Sequence, residues 1–211
     1  MKKTTKTLGR PRSFDTDQAL DSAMHVFWKK GYEGTSLTDL TRAMGINRPS
    51  LYAAFGDKES LFRKVLERYS QGPARYVQAA NLEASARKVV EKLLYGALEL
   101  MSQPGNPQGC LMVHGALTGG KATSKVRRIM AEHHAQAEDG LRRRLRRAVS
   151  EGDLPANADP DTLTRFVVTV IQGMSVQAAN GASRAQLEKV ARQSLQGWPS
   201  RVPAIKQAAS D

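Results

Sequence analysis

The sequence has little cysteine and no long apolar segment. Cys110 is the one cysteine among 211 residues, so an intramolecular disulfide and a zinc site built from several cysteines are both excluded. No stretch approaches the roughly 18 consecutive apolar residues of a membrane-spanning helix. The basic start at residues 1–6 is not followed by the apolar core of a signal peptide. These absences predict a cytoplasmic protein without a membrane partner.

The motifs of common enzymes are also absent. Gly119-Gly120 lacks the Lys-Ser/Thr pair of a phosphate-binding loop. The sequence contains neither the nucleophile elbow of hydrolases nor the HExxH motif of zinc proteases. We therefore predict that the protein is not an enzyme and that it has no catalytic residues, no metal site and no cofactor.

Charge, in contrast, is abundant and mostly positive. There are 32 lysine and arginine residues against 20 acidic residues, which gives a formal net charge of +12. A globular protein this basic usually binds a polyanion, most often nucleic acid. Residues 1–12 are basic and show no apolar periodicity, so we interpret them as a flexible arm. Such an arm either contacts phosphate or the minor groove of DNA, or has no role.

Apolar residues recur at helical spacing along most of the chain, and no segment alternates as a strand would. Serine, aspartate or asparagine precedes several of these segments, and glycine follows them, as is typical of helix caps. The pattern predicts an all-α fold. Residues 13–71 would form an N-terminal three-helix helix-turn-helix domain joined to a larger C-terminal helical domain over residues 72–198, with an irregular tail over 199–211.

Residues 36–55 carry the pattern of a helix-turn-helix unit. One helix begins at Ser36 and ends at Gly45, and Asn47 caps a short second helix that tolerates Pro49 in its first turn. The polar side chains of the second helix, Arg48 among them, suit the major groove of DNA, where they reach base edges. The amino ends of the flanking helices suit phosphate.

Three segments of this region resemble the signature of the TetR/AcrR family of transcriptional regulators. They are Gly31–Leu40, Met44–Tyr52 and Phe55–Leu61. The resemblance extends over roughly residues 13–71 and implies that the protein binds double-stranded operator DNA, with Arg48 as the candidate for reading a base. The DNA-contacting residues that it implies are Thr35, Ser36, Arg48, Pro49, Ser50, Tyr52 and Lys58.

The C-terminal half is similar to one subset of the same family at Gly109–Val113, Gln172–Ala178 and Gly197–Pro199. The similarity implies a homodimer formed by the last two long helices and a pocket for a small-molecule effector among the middle helices. The implied interface residues are Phe166, Val167, Val170, Met174, Leu187 and Val190. The implied pocket residues are Leu93, Ala97, Met101, Cys110, Met112, His114, Ile171 and Met174.

The sequence thus predicts a ligand-responsive repressor that binds a palindromic operator as a dimer. Two alternatives stay open. Cys110, which shares a helical face with His114, would sense oxidants, electrophiles or a soft metal, or the protein would bind DNA without sequence preference as an architectural protein. We interpret His133-His134 as surface residues and the basic run over residues 142–147 as a solvated helix face.

Overall fold

The computed structural model describes residues 14–113 and 124–199, and these two ranges are helical with no strand. The predicted all-α fold is confirmed. The predicted arm over residues 1–12 and His114 lie outside the described residues, as does the tail beyond Pro199. The helices are α1 (Thr16–Lys30), α2 (Leu37–Met44), α3 (Arg48–Phe55), α4 (Lys58–Gln71), α5 (Tyr76–Ala80), α6 (Ala86–Ser102), α7 (Ser124–Ser150), α8 (Pro160–Ala179) and α9 (Arg184–Gln196).

Local sequence determines where the first four helices begin. Asp15, Ser36, Asn47 and Asp57 each accept a hydrogen bond from a backbone N–H in the first turn of the helix that follows. Such side chains satisfy amides that the helix itself leaves unpaired. The caps fix the direction in which each short helix leaves its turn.

Aromatic side chains fill the N-terminal core. The ring of Phe62 packs edge-on against Phe27 and Tyr32 with centroids 5.0 Å apart in both pairs. Trp28 packs edge-on against Tyr69, also at 5.0 Å. These rings hold α1 and α4 together, because offset and edge-on ring contacts add to the free energy gained by burying apolar area.

The C-terminal core is mostly aliphatic and joins α6, the second half of α7, α8 and α9. The first half of α7 instead packs into the N-terminal core through Val126, Ile129 and Met130. One long helix therefore contributes to both cores. Within the two described ranges, no helix is long and apolar enough to cross a membrane.

Two interpretations of α7 need correction, the first of them at Arg144. Arg143, Arg146 and Arg147 are exposed, but Arg144 in the middle of the basic run is buried. His133 and His134 are half-buried and line a cavity. The reason is that α7 is covered by neighbouring helices along most of its length, so its polar residues also meet the interior.

Candidate DNA-binding face and internal cavity

The turn between α2 and α3 is closed by backbone geometry. Gly45 has a φ of 66° in the left-handed region, which glycine adopts without the steric cost of a Cβ. Its N–H and that of Ile46 donate to carbonyl oxygens in the last turn of α2. Leu40 and Leu51 are fully buried on the inner faces of the two helices. The pair is thereby held as a helix-turn-helix with the outer face of α3 turned to solvent.

That outer face carries most of the residues expected to contact DNA. Arg48 and Pro49 are exposed, and Ser50 is half-buried. Tyr52 presents an aromatic ring that is 48% exposed. The Arg48 Nη2 donates to Thr38 Oγ1 at 3.1 Å, which orients the guanidinium along the face without covering it.

Lys58 stands at the amino end of α4, beside this face. Its Nζ lies 4.3 Å from the centroid of the Tyr32 ring, a geometry in which the cation is attracted to the ring. Burial lowers the pKa of Lys58 and, with a contribution from Glu59, raises the pKa of Tyr32. The ammonium is held over the Tyr32 ring, and the amide dipoles at the amino end of α4, where Lys58 begins the helix, favour an anion such as phosphate.

Thr35 and Ser36 are engaged in local structure. The Thr35 side chain is 1% exposed and its hydroxyl donates to the carbonyl oxygen of Gly31 at 2.6 Å. The Ser36 hydroxyl forms a reciprocal capping pair with Asp39. Thr35 as a whole is therefore buried away from a ligand, and its N–H donates to the Tyr32 carbonyl oxygen at 3.3 Å. Ser36, in contrast, is exposed.

A cavity of about 390 Å³ lies among α4, α5, α6, α7 and α8. Four of the expected pocket residues line it: Leu93, Cys110, Met112 and Ile171. Ala97, Met101 and Met174 are buried in the C-terminal core but do not line this cavity as far as the described residues define it. The expectation for His114 lies outside the described residues.

The sequence interpretation missed most of the polar lining. The Tyr69 hydroxyl lies 3.2 Å from the Cys110 Sγ, and burial, followed by the adjacent Cys110, raises the pKa of both Tyr69 and Tyr76. His134 Nε2 lies 3.3 Å from the carbonyl oxygen of Met112. Burial lowers the pKa of His133. These groups give a largely apolar cavity several hydrogen-bonding positions, as small-molecule sites commonly have.

A signal for the two histidines was present in the sequence. His133, His134, Ala137 and Leu141 follow the three- and four-residue spacing of one helical face. That face continues the apolar residues Ile129 and Met130 of the same helix. The spacing indicates partial burial, but the many charges of α7 obscured it.

The residues expected at a dimer interface divide into two groups. Phe166 on α8 and Val190 on α9 are 43% and 45% exposed, and Val170 is half-buried. Val167, Met174 and Leu187 are instead buried inside the protomer. For these three residues the expectation of a surface contact was wrong, because the inner apolar stripe of each helix is used to close the core of its own chain.

Comparisons with known proteins match the chain along most of its length. Residues 19–65 match the family model "Bacterial regulatory proteins, tetR family", and residues 86–195 match "Tetracyclin repressor-like, C-terminal domain". The HTH-type transcriptional repressor ComR of Escherichia coli (strain K12) is 36% identical over 199 residues, covering 93% of this chain and 95% of that protein. The repressor BdcR of the same organism is 33% identical over 194 residues, covering 88% and 90%.

A solved structure is also similar. It is a cysteine mutant of the TetR family transcriptional regulator CifR, described in complex with 26-bp double-strand operator DNA. It superposes with a TM-score of 0.85 at 43% identity, covering 90% of this chain and all of that chain.

Proposed function

Because this chain belongs to the tetR family of bacterial regulatory proteins, we propose that it is a repressor that binds a palindromic operator as a homodimer. A small molecule that enters the cavity would release the operator. The observation that carries the proposal is the outer face of α3, where Arg48, Pro49 and Tyr52 are exposed on a helix fixed by caps and a buried inner face. A related regulator, CifR, is described in complex with operator DNA.

The residues of this face divide into two kinds of contact. Arg48 is placed to donate to the acceptor atoms on the major-groove edge of a base, which would give sequence preference. Tyr52 on α3, together with Ser36 and Lys58 at the amino ends of α2 and α4, is placed to contact phosphate oxygens. Such contacts fix the register of the protein on DNA without reading sequence. The net charge of +12 favours association through release of counterions.

The homodimer would form through the outer faces of α8 and α9. Phe166 and Val190 expose apolar side chains there, and the capped helices present them on a rigid surface. Pairing through these helices would set the two recognition helices about one DNA turn apart, roughly 34–36 Å, as a palindromic site requires.

Two connections would carry the effect of an effector to the DNA-binding face. The first is α7, which lines the cavity in its middle and packs into the N-terminal core at its start. The second is the segment Gly109-Cys110. The Trp28 Nε1–H donates to the Gly109 carbonyl at 3.2 Å, and the Cys110 N–H donates to Ser175 Oγ at 2.8 Å.

This segment therefore joins α1 to α8 directly. A molecule that binds one arrangement of these contacts more tightly than another would shift the equilibrium between conformations of the protein that differ in the position of α3.

A binding selection tests the proposal. Purified protein is incubated with random double-stranded DNA at near-physiological salt, and the retained duplexes are sequenced. We expect an enriched palindrome whose half-sites lie about one helical turn apart. Retention without enrichment, with binding that weakens equally for all sequences as salt rises, would contradict the repressor proposal. It would show that the protein binds DNA without sequence preference, as an architectural protein does.

A second candidate function is a response through Cys110. Its thiol lies on the cavity wall against the Tyr69 hydroxyl, at the segment that joins α1 to α8. Modification of the thiol by an oxidant or an electrophile would disturb that contact. Operator release by hydrogen peroxide or by an alkylating agent should then disappear in Cys110→Ser. An unchanged response in this variant would remove the candidate.

A further inference from the structure

A hydrogen bond within the helix-turn-helix joins the residue proposed to read a base to a residue outside the proposed set of DNA contacts. The Arg48 Nη2 donates to the Thr38 Oγ1 at 3.1 Å. Arg48 is the first residue of α3, and Thr38 is the second residue of α2. Both residues are exposed, so the bond lies on the surface of the helix-turn-helix.

The backbone at both ends of this bond is held in place. A capping box sets the first turn of α2, and the Asn47 side chain caps the first turn of α3. Leu40 and Leu51 are fully buried beneath the two helices. Because these contacts hold the two first turns, Thr38 offers its hydroxyl at a fixed place relative to the start of α3.

The bond restrains the Arg48 side chain without neutralising it. A free arginine samples many rotamers, and ordering it on binding costs conformational entropy. The Thr38 hydroxyl accepts from one of the N–H groups of the guanidinium and leaves the others for acceptor atoms on DNA. Within the described ranges, no carboxylate forms an ion pair with Arg48. The guanidinium is therefore partly ordered before DNA arrives and keeps its charge for it.

We propose that Thr38 is a positioning residue for sequence recognition, which holds the Arg48 guanidinium in the orientation that reads a guanine. Arginine donates through two N–H groups to the O6 and N7 acceptors of guanine in the major groove. Such a two-point contact depends on the direction of the planar guanidinium. A guanidinium that is free to swing also reaches phosphate oxygens, which carry no sequence information. This inference rests on the role of Arg48 in the proposed function.

A double-mutant cycle with single-base variants of the selected operator tests the inference. Thr38→Val keeps the shape of the side chain and removes the hydroxyl. We expect it to lower the preference for guanine at the position read by Arg48 by about three- to tenfold, as the loss of one hydrogen bond does. Binding to random duplexes of the same length should be unchanged, because phosphate contacts supply it. In the Arg48→Ala background, the same substitution should leave the base preference unchanged.

Matched variants separate positioning from a general effect on the helix. Thr38→Ser retains the hydroxyl and should retain the preference for guanine. Thr41→Val removes a hydroxyl one turn further along α2, where it donates to the Thr38 carbonyl oxygen at 3.2 Å, and should leave the preference unchanged. The melting temperature of each full-length variant is measured, and that of Thr38→Val should stay close to the value of the unsubstituted chain because the side chain is exposed. Thr38→Ala replaces Thr38→Val in the cycle if the valine variant does not fold.

Three results would overturn the inference. An unchanged base preference in Thr38→Val would show that the bond has no part in recognition. A loss of preference that persists in full in the Arg48→Ala background would show that Thr38 contacts DNA by itself. Tighter binding of the selected operator by Thr38→Val would show that the bond holds Arg48 away from its base.

The failure of this inference is distinguishable from the failure of the proposed function. A protein that selects an operator, loses a base preference in Arg48→Ala and keeps it in Thr38→Val contradicts this inference alone. A protein that enriches no operator from random DNA contradicts the proposed function.

Discussion

The two cores of this chain are filled differently. The N-terminal core contains closely packed rings, with Phe27, Tyr32 and Phe62 in mutual contact at centroid distances of 5.0–6.0 Å. The C-terminal core is aliphatic, borders a cavity of about 390 Å³ and contains the buried cation of Arg144. A dense core resists deformation, which suits a unit that must hold a recognition helix in position. A core beside a cavity can accept a molecule and change shape.

Two structural elements connect the cores. Helix α7 enters both of them, and the segment Gly109-Cys110 binds to α1 and α8. A change in the C-terminal half, which borders the cavity, can therefore reach the densely packed N-terminal half without passing through a flexible linker. The comparison predicts that substitutions in the two halves will affect stability and DNA binding in separable ways.

The largest expected effect comes from opening a hole in the dense core. Phe62→Ala removes a fully buried ring and should lower the free energy of unfolding by about 3–5 kcal/mol. Leu93→Ala removes a residue that already borders empty space, so its cost should lie near the lower end of the range for such changes, about 2 kcal/mol. Chemical denaturation measures both. Equal costs would contradict the proposed difference in packing.

The next effect concerns recognition alone. Arg48→Ala removes an exposed side chain and should leave the melting temperature nearly unchanged. It should weaken binding to the selected operator by about 1–3 kcal/mol for each base that the arginine reads, and relax the sequence preference at one position in each half-site. Fluorescence anisotropy with a set of single-base operator variants measures this. Lys58→Met is the comparison. Loss of its proposed phosphate contact should weaken the binding of all sequences alike and reduce the slope of log affinity against log salt concentration by about one.

Two equivalent caps, one in each half, allow a matched test. Ser36 and Ser183 each form a capping box at the start of a helix. Replacing either by alanine should cost about 1 kcal/mol of stability. Ser36→Ala should also weaken operator binding because α2 supports α3, whereas Ser183→Ala should leave the affinity of the assembled dimer unchanged. A drop in operator affinity in both variants would show that a cap in the C-terminal half also affects DNA binding, which contradicts the expected difference between the halves.

The smallest expected effect is a change in acid stability. Hydrogen bonds from Lys30 and Ser36 lower the pKa of Asp39 well below its usual value of 3.8. A carboxyl group whose pKa is lower in the folded state stabilises the fold above its unfolded pKa, and this contribution is lost as the pH falls towards the folded pKa. Asp39→Asn should therefore be less stable near neutral pH and lose less stability on acidification. Melting temperatures from pH 7 down to about pH 2 measure the difference.

Sequence patterns predicted the N-terminal half well because its signals are local. Ser36, Gly45 and Asn47 determine helix ends within a few residues of themselves, and the structure places them as caps. The interior of the C-terminal half depends on which helices meet across long sequence separations. Nothing in the sequence near Arg144 indicates that the carbonyl oxygens of Glu83 and Ala84 will accept hydrogen bonds from it, and the apolar stripe of α8 does not itself reveal whether Val167 faces its own core or a partner.

Hydrogen exchange on the full-length protein, with and without the selected operator, tests most directly whether the N-terminal helix-turn-helix region contacts DNA. We predict that DNA slows exchange mainly within residues 36–58, which contain α2, α3 and the start of α4, and leaves the aliphatic core of α6 and α9 unchanged. Protection centred on the exposed arginines at positions 143, 146 and 147 of α7, with no change within residues 36–58, would contradict the account.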